Sequence, residues 1–144
     1  QSVPEIVYRG IDACEALVSK YIDMDTTLPE NVQIRPGDCR FQAMDVIFTN
    51  ETHTLGNLLE TYLVADHMDD RAALKINYAG YKVPHPLRPE MFVRIGLGDD
   101  VVDQETQMRT VQLAVATVCR KLKMEFRALK DAWNTLHMST APTA

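Results

Sequence analysis

Helical and extended patterns alternate along the chain, and the first pattern is helical. Apolar residues recur at spacings of three and four near the start, which predicts an amphipathic helix over residues 4–22. Ser2 followed three residues later by Glu5 is a capping-box pattern, and Pro4 is tolerated in a first helical turn, where its missing N–H would have no partner. The sequence therefore signals where this helix begins.

The middle of the chain has the pattern of strands around one helix. Residues 23–38 contain two prolines and a glycine without clear periodicity, so this segment is interpreted as a linker. Residues 39–50 alternate in the manner of a half-buried strand, and the leucine spacing over 53–68 predicts a helix. Residues 74–83 and 90–97 predict two further strands, joined by a proline-rich connection.

The last third of the chain predicts one long helix. From about residue 103 to 136, apolar residues alternate spacings of three and four, and neither glycine nor proline interrupts them. Such a helix would run about 50 Å, whereas a compact globule of this length is only about 37 Å across. Its apolar stripe therefore needs a partner, which can be the first helix, a second subunit or both. The stripe residues expected to carry the association are Val111, Val115, Val118, Leu122, Phe126 and Leu129.

Composition excludes several classes of protein. The chain has 144 residues, 46% hydrophobic and 24% charged, which is ordinary for one soluble domain. No apolar run approaches the roughly 20 residues that span a bilayer, and the start lacks a secretory leader, so we expect neither a membrane anchor nor secretion. A net charge of −5 argues against an autonomous nucleic-acid binder. Cys14, Cys39 and Cys119 have no CxxC spacing, which favours a reducing compartment over disulfides or zinc.

Histidine motifs are the candidate chemistry. His53 beside Glu51 invites an acid/base role, but no nucleophile elbow and no second histidine at metal-ligand spacing accompany it. The favoured interpretation is a strand-to-helix corner, with Thr52 or Thr54 as N-cap and Gly56 permitting close backbone approach.

Four other features of the sequence are also given non-catalytic interpretations. The acidic run ADHMDDR at 65–71 is more typical of a solvated helix end than of a metal cluster. The basic residues over 120–130 indicate a solvated face, and GLGDD at 96–100 lacks the lysine and remaining glycines of a phosphate loop. His85, between two prolines, is expected to make a rigid surface contact.

The motifs taken together resemble a known family. HTLGN at 53–57, GYKVPHP at 80–86, MFVRIGL at 91–97 and a long terminal helix occur in that order. This combination resembles the small alpha-like subunits of DNA-directed RNA polymerases: archaeal subunit L, the eleventh subunit of polymerase II, and their relative shared by polymerases I and III. The resemblance covers roughly residues 39–133.

That resemblance implies an α+β dimerisation domain over 39–137, with a small antiparallel sheet, a helix after the first strand and a long C-terminal helix. It implies a non-catalytic assembly subunit, without metal or cofactor, that pairs with a larger alpha-like partner. The pair then forms a platform for the two largest polymerase subunits, without direct sequence-specific nucleic-acid contact. The motif residues expected to pack and to contact subunits are His53, Thr54, Leu55, Gly56, Asn57, Gly80, Tyr81, Val83, Pro84, His85 and Pro86.

Two departures from the family pattern carry further expectations. The connection around 66–77 is longer than usual, and its role is left open. The helix within 1–22 resembles the last helix of the larger partner, so the chain is expected to be the C-terminal part of a fused subunit, as in large cytoplasmic DNA viruses. A viral protein would be located in the host cytoplasm and virion, and a cellular eukaryotic one in the nucleus. Residues 138–144 are expected to form a disordered tail.

Two functions from other classes stay open. One is a self-associating helical adaptor unrelated to transcription, and the isolated segment could self-pair in either case. The other is a small metal-dependent hydrolase using His53, His67 and Asp69.

Overall fold

Three helices and four strands make up the chain in the computed structural model, which describes residues 2–98 and 103–137. The predicted tail, 138–144, lies outside the described residues. In chain order the elements are α1 (Val3–Ser19), β1 (Val32–Pro36), β2 (Ala43–Thr49), α2 (His53–His67), β3 (Tyr78–Lys82), β4 (Glu90–Gly96) and α3 (Gln104–His137). This arrangement confirms the α+β class, the small antiparallel sheet and the long C-terminal helix.

Both predicted helix starts are confirmed by their capping contacts. Ser2 Oγ accepts a hydrogen bond from the Glu5 N–H at 3.4 Å, and Glu5 Oε2 accepts one from the Ser2 N–H at 3.2 Å. At α2, Thr52 Oγ1 accepts from the Thr54 N–H at 3.4 Å, so Thr52 is the N-cap. These contacts satisfy amide groups that have no partner inside their helices.

The segment 23–38 is not merely a linker, which corrects the sequence interpretation. It contains β1, which pairs antiparallel with β2 from Val32↔Phe48 to Pro36↔Met44. Met24 in the same segment is fully buried. The sequence pattern signals this strand only weakly because it is short and ends in proline, which strands tolerate mainly at a sheet edge. β1 is an edge strand of the sheet.

The four strands are ordered β1-β2-β4-β3, and every neighbouring pair is antiparallel. One face packs against the helices, and its fully buried side chains are Met44, Val46, Phe48, Met91, Val93 and Ile95. β2 was expected to be half-buried, yet Asp45 and Ile47 on its other face are only 8% and 5% exposed. Asp45 tolerates this burial because Arg94 donates two hydrogen bonds to it, at 2.7 and 2.9 Å.

The second predicted strand is shorter than 74–83, because residues before Tyr78 leave the ladder. The Ile76 N–H donates to the His67 carbonyl at 2.8 Å, and the Asn77 N–H donates to the Gly96 carbonyl at 2.9 Å. Ile76 is buried. The long connection after α2 therefore closes back onto the end of that helix before β3 begins.

Candidate subunit interface

The two sequence motifs meet at a close contact between α2 and β3. A Cβ atom at Gly56 would lie 2.3 Å from Tyr81 Cδ2, so only glycine leaves room for the tyrosine ring. His53 Nδ1 lies 3.1 Å from Tyr81 Oη, and the two rings meet edge to face with centroids 5.7 Å apart. Gly56 does permit a close approach, but the neighbour is the side chain of Tyr81 rather than the backbone that the sequence interpretation expected.

Glu51 does not form an acid/base pair with His53. Its carboxylate is 6% exposed and accepts hydrogen bonds from the Tyr21 hydroxyl and from Lys20 Nζ, the latter at 3.3 Å. Asn31 Nδ2 donates to Tyr21 Oη at 3.0 Å. Burial raises the Tyr21 pKa, and the hydrogen bond to Glu51 raises it further. The segment after α1 is thus fastened to the beginning of the first motif, a contact that no local sequence pattern indicated.

The connection between β3 and β4 lies next to that corner. Residues of both motifs line one shallow depression: Glu51, Thr52, His53, Val83, Pro86, Leu87, Arg88 and Pro89. The Asn50 N–H donates to the Pro89 carbonyl at 2.5 Å, which ties the connection to the end of β2. Leu87 at its tip is 96% exposed.

The motif residues divide into three groups by burial, and the half-buried group is Gly80, Tyr81 and Val83. Leu55 and Gly56 are buried and act in packing. The exposed members, which remain free for contact with another molecule, are His53, Thr54, Asn57, Pro84, His85 and Pro86. Their role in subunit contact stays a prediction.

The proximal half of the α3 stripe belongs to the core of this chain. Val111, Val115 and Val118 are fully buried and Leu122 is 1% exposed, against the sheet and the other helices. The expectation that these four side chains themselves associate with a partner is therefore corrected. Periodicity showed that the stripe is apolar, but it could not show which half the chain covers with its own sheet.

The distal half of the stripe is only partly covered. Phe126 is half-buried, Leu129 is 50% exposed and Leu136 is 70% exposed. Because these residues continue the spacing of the buried valines, they extend the same face of the helix beyond the sheet. The stripe does outrun the core, as its length predicted.

One flank of this distal half is covered by α1, which runs antiparallel to α3. Trp133 Nε1 donates to the Pro4 carbonyl at 2.8 Å near one end of the pair. Further along, Lys130 Nζ lies 2.8 Å from Asp12 Oδ1 and 3.1 Å from Glu15 Oε1. The hydrogen bond from Lys130 is the main cause that lowers the Glu15 pKa.

These contacts also change the interpretation of the basic residues over 120–130. Arg127 lies 3.4 Å from Glu15, Arg120 lies 2.6 Å from Asp25, and Lys121 lies 2.9 Å from Asp66. Several members of the expected solvated face therefore hold the helices together. Residues 12–25 contain several acids and residues 120–130 contain several bases. This complementary charge is the sequence signal of the pairing.

The other flank is an apolar depression between all three helices, here called the open groove. Its lining residues are Cys14, Thr54, Asn57, Leu58, Thr61, Tyr62 and Phe126. Leu129, one turn beyond Phe126, continues this surface away from the sheet. The groove thus joins the exposed side of the first motif to the uncovered part of the α3 stripe.

The residues of the metal-hydrolase hypothesis are not brought together. His53 and His67 stand at opposite ends of α2, about 21 Å apart at 1.5 Å per residue. His67 Nδ1 is 2.8 Å from the Leu74 carbonyl oxygen, and Asp69 pairs with Arg71. Among the residues that the structure describes, no group of three or more histidines, cysteines or carboxylates is placed to hold a metal ion.

Several known proteins have sequences similar to this chain. The family model of the RNA polymerase Rpb3/Rpb11 dimerisation domain matches residues 43–132. The chain is 29% identical to the DNA-directed RNA polymerases I and III subunit rpc19 of Dictyostelium discoideum, over 68% of this chain and 72% of that protein. It is 34% identical to subunit Rpo11 of Methanothermobacter thermautotrophicus, over 37% of this chain and 56% of that protein. For RPB11 of Schizosaccharomyces pombe the identity is 28%, over 56% and 59%.

The chain belongs to the Rpb3/Rpb11 dimerisation-domain family of RNA polymerase. It spans 56% and 59% of the length of two of these relatives. Across residues 2–98 and 103–137, no helix has the length and apolarity needed to cross a membrane.

Proposed function

We propose that this chain is a non-catalytic assembly subunit, or part of one, that pairs with a larger alpha-like subunit of a DNA-directed RNA polymerase. The open groove is the surface for that pairing. The observation that carries the proposal is the distal α3 stripe, where Leu129 and Leu136 are 50% and 70% exposed beyond the buried Leu122. The pair then serves as the platform on which the two largest subunits assemble.

Burial of that stripe supplies the driving force. Transfer of a large apolar side chain from water to an interface contributes roughly 1.5–3 kcal/mol when burial is complete. Phe126, Leu129 and Leu136 are each partly covered already, so each would contribute a fraction of this amount. Tyr62 and Leu58 at the groove wall extend the apolar area, which favours a helix of the partner as the occupant.

The proposal extends to the position of α1. We infer that α1 is the closing helix of an alpha-like half fused upstream, as in polymerases of large cytoplasmic DNA viruses, and that it holds one flank of α3 in cis. Its antiparallel ion pairs with α3 support this inference. The codons upstream of Gln1 provide the test: an alpha-like domain encoded in frame is expected, and a start codon nearby without one would contradict the fusion.

Pairing is tested by co-expression with the larger alpha-like subunit or domain from the same source. Leu129→Asp places a charge on the uncovered stripe and should sharply reduce the yield of the complex. Met124→Asp is the matched control, because Met124 is 74% exposed on the same helix but about 140° away around its axis from Leu129. Equal yields from the two variants would refute the groove as the pairing surface.

Native cysteines provide a second readout of the same complex. Cys14 lines the open groove and Cys39 does not, although both are partly exposed. Alkylation of Cys14 should slow when the partner is bound, while Cys39 keeps its rate. A purified chain that forms a clean homodimer and ignores polymerase subunits would instead favour the self-associating adaptor.

A further inference from the structure

A second candidate site lies on the face of the sheet that points away from the helices. Cross-strand pairing places Arg35 opposite Asp45, and Asp45 opposite Arg94, in one row across β1, β2 and β4. The next row along this face pairs Ile47 with Phe92. The face therefore carries a charged row beside an apolar row.

The connection from β3 to β4 closes this face into a cleft of about 330 Å³. We call it the arginine cleft; its lining residues are Arg35, Asp45, Ile47, Pro84, His85, Arg88, Glu90, Phe92 and Arg94. The volume is at the lower end of the range for small-ligand sites.

The three arginines of the arginine cleft differ in whether they form an ion pair. Arg94 is committed to Asp45, whose hydrogen bonds raise the Arg94 pKa and keep the guanidinium charged. Arg35 and Arg88 have no ion-pair partner among the residues that the structure describes. With Asp45 neutralised by Arg94, these two guanidiniums face the single remaining carboxylate of Glu90, so the cleft keeps an excess of positive charge. This local excess stands in a chain whose net charge is −5.

The wall of the cleft is stiff before any ligand arrives. The Arg88 N–H donates to the His85 carbonyl at 3.3 Å, and the Glu90 N–H donates to the Arg88 carbonyl at 2.8 Å. Pro84, Pro86 and Pro89 restrict the backbone of the same connection. Such preorganisation lowers the entropy cost of ordering a binding loop.

We propose that the arginine cleft binds a protein segment carrying a carboxylate side chain next to an aromatic one. The carboxylate would accept hydrogen bonds from Arg35 and Arg88, and the ring would lie on the floor of Ile47 and Phe92. The net charge of −5 on the whole chain disfavours the repeated phosphates of a nucleic acid, which favours a protein occupant. The cleft is on the opposite face from the open groove, so this inference does not rest on the proposed pairing.

The test uses the whole chain, labelled with ¹⁵N, and two synthetic peptides. Acetyl-Asp-Phe-Asp-amide should shift the amide resonances of β1, β4 and the 83–89 connection. The affinity of acetyl-Asn-Phe-Asn-amide should be lower by a factor of about ten or more. The double variant Arg35→Gln, Arg88→Gln should lose about the same factor for the acidic peptide. Both arginines are exposed, so these changes leave the fold intact.

Arg40→Gln is the matched control, because Arg40 is an exposed arginine outside the cleft. It should bind the acidic peptide as the unchanged chain does. Equal shifts with both peptides, or an equal loss in the Arg40 variant, would overturn the proposal. Tighter binding of a twelve-residue oligothymidylate that depends on Arg35 and Arg88 would also overturn it and assign the cleft to phosphates.

Discussion

The ring of Tyr81 occupies the space that a side chain at Gly56 would need, with Tyr81 Cδ2 only 2.3 Å from the position of an added Cβ. This contact joins HTLGN to GYKV, two motifs that are separated by most of α2 and by the long connection that follows it. It sets how closely α2 approaches the sheet, and the exposed side of α2 is a wall of the open groove. The geometry of the proposed pairing surface therefore depends on one glycine.

Replacement of that glycine should destabilise the chain. Gly56→Ala is expected to lower the free energy of unfolding by about 1–3 kcal/mol, because the new methyl group overpacks against Tyr81. Gly10→Ala is the control: Gly10 lies in α1 with open space around it, so the change should raise stability by up to about 1 kcal/mol. Urea denaturation measures both. Similar effects in the two variants would show that helix propensity, not the Tyr81 contact, decides the outcome.

Loss of the buried hydroxyl of Tyr21 should lower the stability of the fold more than loss of an exposed hydroxyl. Tyr21→Phe removes a donor to the Glu51 carboxylate and is expected to cost about 1–3 kcal/mol, because Glu51 is buried. Tyr62→Phe removes an exposed hydrogen bond of 2.9 Å to Glu125 and should cost less than about 1 kcal/mol. Thermal unfolding of the two variants compares them directly. A Tyr21 variant as stable as the Tyr62 variant would mean that Lys20 and water satisfy Glu51.

A charged substitution should destabilise the fold in the core part of the α3 stripe and have little effect on stability in its uncovered part. Val118→Asp buries an unpaired carboxylate and is expected to cost several kcal/mol, a large share of the roughly 5–15 kcal/mol that stabilises a domain. Leu129→Asp, at a position 50% exposed, should leave the far-ultraviolet circular dichroism and the melting temperature nearly unchanged. A well-folded Val118 variant would show that the sheet does not cover the valines.

Acid should loosen the contacts that α3 makes with α1 and with the segment that follows α1. Lys130 holds the Glu15 pKa below its ordinary value of 4.5, and Arg120 holds the Asp25 pKa below 3.8. A carboxyl whose pKa is lowered by folding stabilises the fold above its ordinary pKa, and this contribution is lost as the pH falls through the folded value. The melting temperature should therefore decline below about pH 4.5 through these groups.

The variant Glu15→Gln measures how much of the decline in melting temperature comes from Glu15. In Glu15→Gln the melting temperature should be lower at neutral pH and should fall less steeply below pH 4.5. Glu30→Gln, which alters an exposed carboxylate elsewhere, should follow the curve of the unchanged chain. An unaltered acid slope in the Glu15 variant would contradict the assignment.

The three cysteines should react at different rates. Cys119 is fully buried, and burial, with a smaller effect of Glu51, raises its pKa to about 12, so little thiolate exists near pH 8. Cys14 and Cys39 are partly exposed. Iodoacetamide should label two thiols quickly in the native chain and three in urea, as mass spectrometry can count. Rapid native labelling of Cys119 would show that α3 opens locally.

Local sequence signals were sufficient for the helices. The capping residues of α1 and α2 lie within three residues of the amides they satisfy, and the unbroken periodicity of α3 needs no distant partner to be recognised. The strand β1 was missed for the opposite reason. Val32 to Arg35 do alternate apolar and polar residues, but a run this short that ends in proline is a weak signal, and the stability of the strand comes from pairing with β2.

The sequence alone determined that α3 is one long amphipathic helix with more apolar surface than a small domain can bury, and that the two motifs resemble those of polymerase subunits. Only the tertiary structure decided how that surface is divided: the valines lie in the core, α1 covers one flank, and Leu129 stays uncovered. The physical reason is that periodicity depends on neighbours three and four residues away. Burial depends on segments about a hundred residues apart, whose positions no local pattern encodes.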